Sequence, residues 1–188
     1  MPEIIAIANQ KGGVGKTTTT VNLAAALHEI GKKTLLIDLD TQGNATTACG
    51  IDKNNITTSI YDLFLGEATA EDAMVYSKAN GFWVLPANKD LMAAEIQLLE
   101  FREREFQLKQ ILTGISSRFD YILIDSPPSM NILTLNGLAA SQGVIIPAQC
   151  EYYALEGLTG LLETINKIQE KINPGLKIKG VLRTMFDV

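Results

Sequence analysis

A glycine-rich segment near the start of the chain, ANQKGGVGKTTTT at positions 8–20, has the composition of a phosphate-binding loop. It ends in the tripeptide GKT, which fits the pattern G-x-x-x-x-G-K-[ST], but the place of the first glycine in that pattern holds Gln10. A second lysine, Lys11, follows where an ordinary loop of this kind has no need of one. The segment therefore predicts a nucleoside triphosphate site of an unusual type.

The residue types of this loop explain how it would hold phosphates. Glycines let the backbone curl so that several N–H groups point at phosphate oxygens, and a helix that begins near Lys16 adds its positive end. The ammonium group of Lys16 can reach the β- and γ-phosphates, and the hydroxyl of Thr17 is placed to bind Mg²⁺. The predicted nucleotide-binding residues are Gly12, Gly13, Val14, Gly15, Lys16, Thr17 and Thr18.

Three aspartates at the ends of apolar runs are candidates for metal binding and catalysis. Asp125 ends YILID, the position expected of an acid that holds Mg²⁺ through water. Asp38 and Asp40 are two residues apart at the end of KTLLIDLD, so in an extended chain they face the same side. One could steady the Mg²⁺ shell while the other orients the attacking water. The predicted metal site is Thr17, Asp40 and Asp125.

Asp40 is the better candidate of that pair for catalysis. It lies nearer the polar segment TQGNAT, and a role that changes with nucleotide state suits a mobile loop. For Asp38, a functional role and simple structural pairing both remain open.

The composition describes a single cytoplasmic domain. The chain has 188 residues, a length typical of one domain, and its net charge of −5 excludes a uniformly basic surface. No apolar run approaches the roughly 20 residues of a membrane span, and the start, MPEIIAIAN, lacks the basic residues of a signal peptide. Cys49 and Cys150 form no C-x-x-C pair, so we expect each to be a buried free thiol. We expect His28 and Trp83 to be structural.

Strand-like and helix-like segments alternate along the chain. Six strands are predicted, in EIIAIAN, KTLLIDLD, GFWVL, FDYILID, GVIIPAQ and LKIKGVL. Helices are predicted in TTTTVNLAAALHEI, in TTSIYDLFLG, in TAEDAMVYS, continuously over 91–115, and over 154–172. The alternation predicts an α/β fold with an open, mostly parallel, twisted sheet and helices on both faces. Ligands bind beyond the carboxyl ends of strands in such sheets, where the glycine loop and the three aspartates all fall.

Four motifs in order, KGGVGKTT, LLIDLDTQGNAT, DYILIDSPPS and VIIPAQCEYYALEGL, resemble those of the ParA/Soj partition ATPases. This family belongs to the deviant Walker-type P-loop NTPases, which include MinD, and the resemblance covers positions 4–187. It implies that Lys11 reaches across a nucleotide-sandwich homodimer to the phosphates of the partner subunit, as an arginine finger does. The alternative is that Lys11 only adds charge to its own loop. By the same resemblance Asp40 matches an aspartate required for hydrolysis, and Thr17 and Asp125 match the Mg²⁺ positions.

The function implied by this resemblance is a slow Mg²⁺-dependent ATPase that segregates or positions chromosomal or plasmid DNA, with ATP/ADP and Mg²⁺ as its ligands. ATP-bound homodimers would coat DNA without sequence preference, so the protein would be cytoplasmic and nucleoid-associated, without a membrane. A ParB-like partner would stimulate hydrolysis. Family members continue past the end of this chain, which predicts that the single domain, 1–188, lacks a C-terminal part. A remaining basic cluster is either a DNA contact or a solvated face; it comprises Lys167, Lys171, Lys177, Lys179 and Arg183.

Three other functions compete with this interpretation. A MinD-like membrane-cycling ATPase that controls division-site placement would need a C-terminal amphipathic helix. A reductase of the nitrogenase-iron-protein type shares the two-lysine loop but needs cysteines for an iron–sulfur cluster, and Cys49 and Cys150 do not occupy the expected places. A module that binds nucleotide without turnover would have no use for Asp40.

Overall fold

A computed structural model of the chain describes residues 1–186, apart from the side chains of residues 152–156. Within that range seven strands alternate with eight helices. The strands are β1 (Glu3–Ile7), β2 (Thr34–Asp38), β3 (Val75–Ser77), β4 (Phe82–Leu85), β5 (Tyr121–Asp125), β6 (Gly143–Gln149) and β7 (Lys177–Thr184). The helices are α1 (Lys16–Glu29), α2 (Asn44–Ala48), α3 (Ile60–Leu65), α4 (Ala70–Ala73), α5 (Leu91–Gln97), α6 (Gln107–Ile115), α7 (Ile132–Ala140) and α8 (Tyr152–Lys171).

The strands form one sheet in the order β3-β4-β2-β5-β1-β6-β7, and every neighbouring pair is parallel except β3 with β4. Strand β5 lies between β1 and β2, and its last residue, Asp125, is in register with both Ile7 and Asp38. The three central strands therefore end level with one another. This register brings the loop after β1 and two of the aspartates to one edge of the sheet.

Helices cover both faces of the sheet, which confirms the predicted fold class. Alternate residues of a strand point to opposite faces, and the buried residues divide accordingly. Ile5, Ile7 and Leu36 pack with residues of α1 and α2 on one face. Ile4, Leu35 and their neighbours pack with α3 and α5 through α8 on the other. The core strands are thus buried on both sides, as their continuous apolar runs predict.

The prediction of a helix over TAEDAMVYS is wrong in its second half. Thr69 and Asp72 form a reciprocal capping box around the single turn α4. The chain then becomes the edge strand β3, which pairs antiparallel with β4. A short turn ending in Gly81 (φ 78°) joins the two strands. The hairpin adds a seventh strand to the six predicted.

The continuous helix predicted over 91–115 is also wrong, because the structure divides it into α5 and α6 with short 3-10 turns between them. Phe101 is extended and Glu103 has a positive φ of 51°. The side chain of Asn136, on α7, donates to the carbonyl of Arg104 (2.7 Å) and accepts from the amide of Leu108 (3.0 Å). A buried side chain from another helix therefore fixes the break, which no local signal in the segment reveals.

Cys49 is buried, as expected, but Cys150 is exposed, because it follows the carboxyl end of β6 rather than packing beneath a helix. Among the described residues, no helix combines the length and the apolar character needed to cross a membrane.

Candidate functional site

The glycine loop joins the end of β1 to the start of α1. Gly13 and Gly15 have φ values of 73° and 88°, a conformation that residues with a Cβ rarely adopt. A Cβ added at Gly12 or Gly13 would meet no atom within 4 Å, so the space above the loop is open to a ligand. The pocket at this place has a volume of about 380 Å³. Its lining residues are Gly12, Gly13, Gly15, Lys16, Thr17, Thr18, Asp40, Gln42, Asn44, Pro128 and Met185.

Lys16 is the buried cation of the site. It lies at the first position of α1, and its ammonium group donates to the carbonyl oxygen of Lys11 (3.1 Å). Burial lowers its pKa, while the negative charges of Asp125 and Asp40 oppose that shift. A buried ammonium group between two carboxylates and an open loop is well placed to neutralise the charge of a phosphate chain.

Asp125 is buried at the end of β5 and bonded to α1. Its two carboxylate oxygens accept hydrogen bonds from Thr17 Oγ1 (2.7 Å) and Thr20 Oγ1 (3.0 Å). Burial raises its pKa to about 7, the charge of Asp38 adds to the shift, and the two hydroxyl donors oppose it. A divalent cation would favour the charged form of such a carboxylate. Hydroxyl and carboxylate oxygens are the ligands that Mg²⁺ prefers, so Thr17 and Asp125 fit this ion.

Asp38 is also fully buried, but both oxygens of its carboxylate already accept hydrogen bonds from protein groups. Its carboxylate accepts from the amide (2.8 Å) and hydroxyl (2.7 Å) of Thr46 and from the amide of Asp40 (3.1 Å). Burial raises its pKa to about 6, and the hydrogen bonds from Thr46 oppose that shift. The Thr46 hydroxyl in turn accepts from the amide of Ala87 (2.9 Å). Of the two roles left open for Asp38, the structure favours structural pairing, since it fastens α2 to the sheet.

Asp40 lies at the pocket itself, two residues beyond the end of β2. One oxygen of its carboxylate accepts from the amide of Gln42 (2.9 Å), and within residues 1–186 the other accepts no hydrogen bond. The turn that follows passes so close to β4 that a Cβ on Gly43 would lie 3.0 Å from the Ala87 carbonyl oxygen. The carboxylate therefore faces the pocket on a short, tightly packed turn.

Lys11 lies on the rim of the pocket and is exposed. Its ammonium group donates to Gln149 Oε1 (2.8 Å) and forms an ion pair with Glu151 Oε2 (3.2 Å), both just beyond or at the end of β6. Its amide donates to Asn9 Oδ1 (3.0 Å). The two lysines of one loop thus have different surroundings, since Lys16 lines the pocket and Lys11 rests on the surface beside it.

Thr20, Thr184, Gln149 and Met185 are among the residues at the site that were not predicted individually from the sequence. Thr20 follows Thr17 by three residues, a spacing that puts both hydroxyls on one helix face and could have indicated its bond to Asp125. Thr184, at the end of β7, donates its hydroxyl to the Val14 carbonyl oxygen (2.8 Å). Gln149 donates to the sulfur of Met185 (2.9 Å), which lines the pocket with a positive φ of 51°. These last three lie more than 130 residues from the loop, and no local pattern marks them.

A larger cleft, about 530 Å³, lies near the amino ends of β2 and β4. Its lining includes His28, Lys32 and Trp83 but no carboxylate. His28 packs on Gly81 so closely that a Cβ there would lie 2.1 Å from its Nε2. Of these two pockets, the smaller is the one lined by the glycine loop and by an acid, Asp40, and it is therefore the candidate active site.

Comparisons with known proteins agree with this geometry. The sequence profile of a family described as an AAA domain matches residues 2–178. The sporulation initiation inhibitor protein Soj of Bacillus subtilis is 50% identical over 187 residues, which cover all of this chain and 74% of Soj. The chromosome partitioning protein ParA of Caulobacter vibrioides is 47% identical over 98% of this chain and 70% of its own. The crystal structure of a Mycobacterium smegmatis protein named cobyrinic acid a,c-diamide synthase, with bound ATP analogue and magnesium, superimposes with a TM-score of 0.96 at 44% identity, over 100% of this chain and 76% of that one.

Proposed function

The chain belongs to the ParA/Soj family of partition ATPases, and on that premise we propose that it is a switch ATPase that dimerises on ATP and segregates or positions DNA. The observation that carries the proposal is the difference in burial and position between the two lysines of the loop. Lys16 is buried in the pocket that would hold the phosphates, whereas Lys11 is exposed on the rim of that pocket. A cation on the rim can serve a second nucleotide held by a facing subunit once it leaves its contacts on its own surface.

The residues of the pocket suit hydrolysis of ATP to ADP and phosphate. The backbone amides of positions 12–18 and the ammonium group of Lys16 would hold the phosphate chain and neutralise the charge that develops on it. Asp40 would orient the attacking water and accept its proton, since its carboxylate lines the pocket and keeps one oxygen unbonded within the described residues. Mg²⁺ held by Thr17 and Asp125 would supply positive charge at the phosphate oxygens, and Asp40 would steady its water shell.

Dimer formation requires Lys11 to leave its contacts with Gln149 and Glu151. Both partners are at the surface, where an ion pair contributes little to stability. A triphosphate on a facing subunit carries several negative charges and would compete successfully for the ammonium group. Hydrolysis removes the terminal phosphate, so the dimer would dissolve after turnover.

The DNA and partner roles follow from the family. DNA contact would involve the basic cluster near the end of the chain, whose five members are all exposed. Lys179 forms an ion pair with Glu3, and the guanidinium of Arg183 lies 5.1 Å from the centre of the Phe186 ring. Binding through such residues releases counterions from the DNA, and this gain shrinks as the salt concentration rises, so affinity should weaken steeply with salt. A ParB-like protein would stimulate hydrolysis on the cytoplasmic, nucleoid-bound form.

Light-scattering mass with and without Mg-ATP tests the proposal. The chain should reach twice its monomer mass with Mg-ATP, and Asp40→Ala should do so more completely because it cannot dissolve the dimer by hydrolysis. Lys11→Ala should bind nucleotide and stay monomeric. Phosphate release, measured in parallel, should be slow in the unsubstituted chain and absent in both variants. Saturated nucleotide binding without any change in mass would refute the dimerising switch.

A further inference from the structure

The turn that carries Asp40 is held in place by Lys53, a residue of the loop that follows α2. The ammonium group of Lys53 donates a hydrogen bond to the carbonyl oxygen of Gln42. The amide of Gln42 in turn donates to the Asp40 carboxylate (2.9 Å), and the amide of Gly43 donates to the Asp40 carbonyl oxygen (2.8 Å). A single residue, Gln42, therefore connects Lys53 to the carboxylate that lines the pocket.

The aliphatic part of Lys53 packs against the same turn. A Cβ on Gly43 would lie 3.0 Å from Lys53 Cδ and 3.0 Å from the carbonyl oxygen of Ala87, and the φ of Gly43 is 59°. Lys53 and the residue Ala87 beyond β4 thus leave little room for a side chain at this position. The backbone that follows Asp40 is therefore confined by packing as well as by hydrogen bonds.

Lys53 is itself presented by a short, bonded turn. The carboxylate of Asp52 accepts from the amide of Asn54 (3.0 Å) and from the side-chain amide of Asn55 (2.7 Å), and its carbonyl oxygen accepts from the amide of Asn55 (3.0 Å). Such bonds fix the backbone on both sides of Lys53. Within the described part of the chain the Lys53 ammonium forms no ion pair, so its charge is not drawn away from Gln42.

We propose that Lys53 is a positioning residue for ATP hydrolysis, which acts through Gln42 to hold the Asp40 carboxylate toward the pocket. The inference rests on the proposed ATPase and adds to it a residue outside the glycine loop and the strand ends. A displacement of about 1 Å at a catalytic group can lower a rate by about 100-fold, so a small movement of the turn is sufficient. Among the described residues Lys53 does not line the pocket, so it should affect turnover rather than nucleotide affinity.

Steady-state phosphate release tests this role. Lys53→Met keeps most of the stem but removes the donor, so kcat should fall about tenfold while KM for ATP stays within about twofold. Lys53→Arg keeps a cationic donor and should restore kcat to within about threefold. Lys78→Met is the matched control, because Lys78 is an exposed lysine between β3 and β4. It should leave kcat unchanged.

Hydrogen–deuterium exchange of the nucleotide-free chain gives a second measurement, which needs no turnover. The amides of Gln42 and Gly43 are both bonded to Asp40. Loss of the Lys53 contact should loosen the turn, so these two amides should exchange at least about threefold faster in Lys53→Met than in the unsubstituted chain. Lys53→Arg should exchange like the unsubstituted chain. Thermal unfolding should show that every variant is folded at the assay temperature.

The outcomes separate this inference from the proposed ATPase. Lower kcat, unchanged KM and faster exchange in Lys53→Met, all restored in Lys53→Arg, would support the positioning role. Unchanged kcat and exchange in Lys53→Met would overturn it, although the ATPase would stand because the unsubstituted chain turns over. An equal fall of kcat in Lys78→Met would also overturn it. An unsubstituted chain that binds Mg-ATP but releases no phosphate would refute the ATPase itself, and the positioning role with it.

Discussion

The inner wall and the outer rim of the nucleotide pocket are built differently. The inner wall is formed by the ends of β1, β2 and β5, where Lys16, Asp38 and Asp125 are buried and bonded to the protein. The rim is formed by Glu151 and Met185, beyond the ends of β6 and β7, and by Lys11 of the glycine loop, and all three are exposed. One pocket therefore combines a rigid side with an adjustable side.

For the proposed switch, this difference separates the binding of nucleotide from the association of subunits. Hydrogen bonds that join each charged group to a neutral partner hold the inner wall in position before any nucleotide binds, which lowers the cost of binding. Surface contacts on the rim contribute little energy, so they can be exchanged for contacts with another subunit. Substitutions on the inner wall should therefore affect nucleotide binding or folding, and those on the rim should affect association.

The largest effect should come from Lys16→Ala, set against Lys11→Ala in the same loop. Removing a buried charge that would contact phosphate costs roughly 2–5 kcal/mol, so ADP affinity should fall by about 30-fold or more. Lys11→Ala leaves the inner wall intact and should change ADP affinity less than about threefold. Isothermal titration calorimetry with Mg-ADP measures both. Equal losses in the two variants would remove the distinction between wall and rim.

Thr46→Val should have the next largest effect, on folding. Valine keeps the shape of the side chain but removes the hydroxyl that donates to buried Asp38 and accepts from the amide of Ala87. Two buried groups lose a partner, so the free energy of unfolding should fall by about 2–4 kcal/mol. Urea unfolding without nucleotide measures this loss.

Thr47→Val is the control for that variant. Thr47 is the exposed neighbour on α2, and its hydroxyl bonds only within the same short helix, to the carbonyl of Gly43 (3.0 Å). Its loss should change stability by about 0.5 kcal/mol or less. If Thr47→Val proved as damaging as Thr46→Val, Asp38 would not be the group that fastens α2.

The inner wall is the part of the site that sequence could predict. Its residues come from a contiguous loop and from strand ends, and a parallel sheet brings strand ends together whatever the loops between them do. Asp125 and Asp40 could be placed at one pocket for that reason. The rim could not be placed, because Thr184 and Gln149 reach the loop through the packing of β6 and β7, which no local pattern encodes.

The fold shows the same limit. Long apolar runs such as YILID identified the central strands, because burial on both faces leaves little alternative. The edge strand β3 has only three residues and directly follows a helical turn. Its extended conformation therefore depends on pairing with β4, and its own sequence does not predict it. The break between α5 and α6 likewise depends on Asn136, a residue of a different helix.

Thr184→Val tests a place where the rim supports the inner wall. The loop turns its amides toward the pocket, and the Thr184 hydroxyl satisfies the outward carbonyl of Val14. Loss of one such hydrogen bond costs about 1 kcal/mol, so nucleotide affinity should fall about fivefold. Thr184→Ser keeps the hydroxyl and should restore affinity to within about twofold. Because the bond is present without nucleotide, Thr184→Val should also lower the unfolding midpoint of the nucleotide-free chain by about 2–4 °C, and Thr184→Ser should not. Equal affinities in valine and serine variants would show that the bond does not support the loop.

Glu151→Gln should change dimer stability only slightly, but the direction of the change is informative. The ion pair between Glu151 and Lys11 is exposed. It holds Lys11 on its own subunit and so competes with the proposed contact of Lys11 with the nucleotide of the partner subunit. Removing the carboxylate frees Lys11, so Mg-ATP dimers of an Asp40→Ala background should dissociate about two- to threefold less readily, the scale of a surface ion pair. The control is Glu71→Gln, which breaks an equally exposed pair with Arg118 far from the pocket and should leave association unchanged. Sedimentation velocity over a concentration series measures both. A weaker dimer in Glu151→Gln would instead mean that the rim is part of the interface itself, with the carboxylate bonded to the partner subunit once Lys11 has moved away.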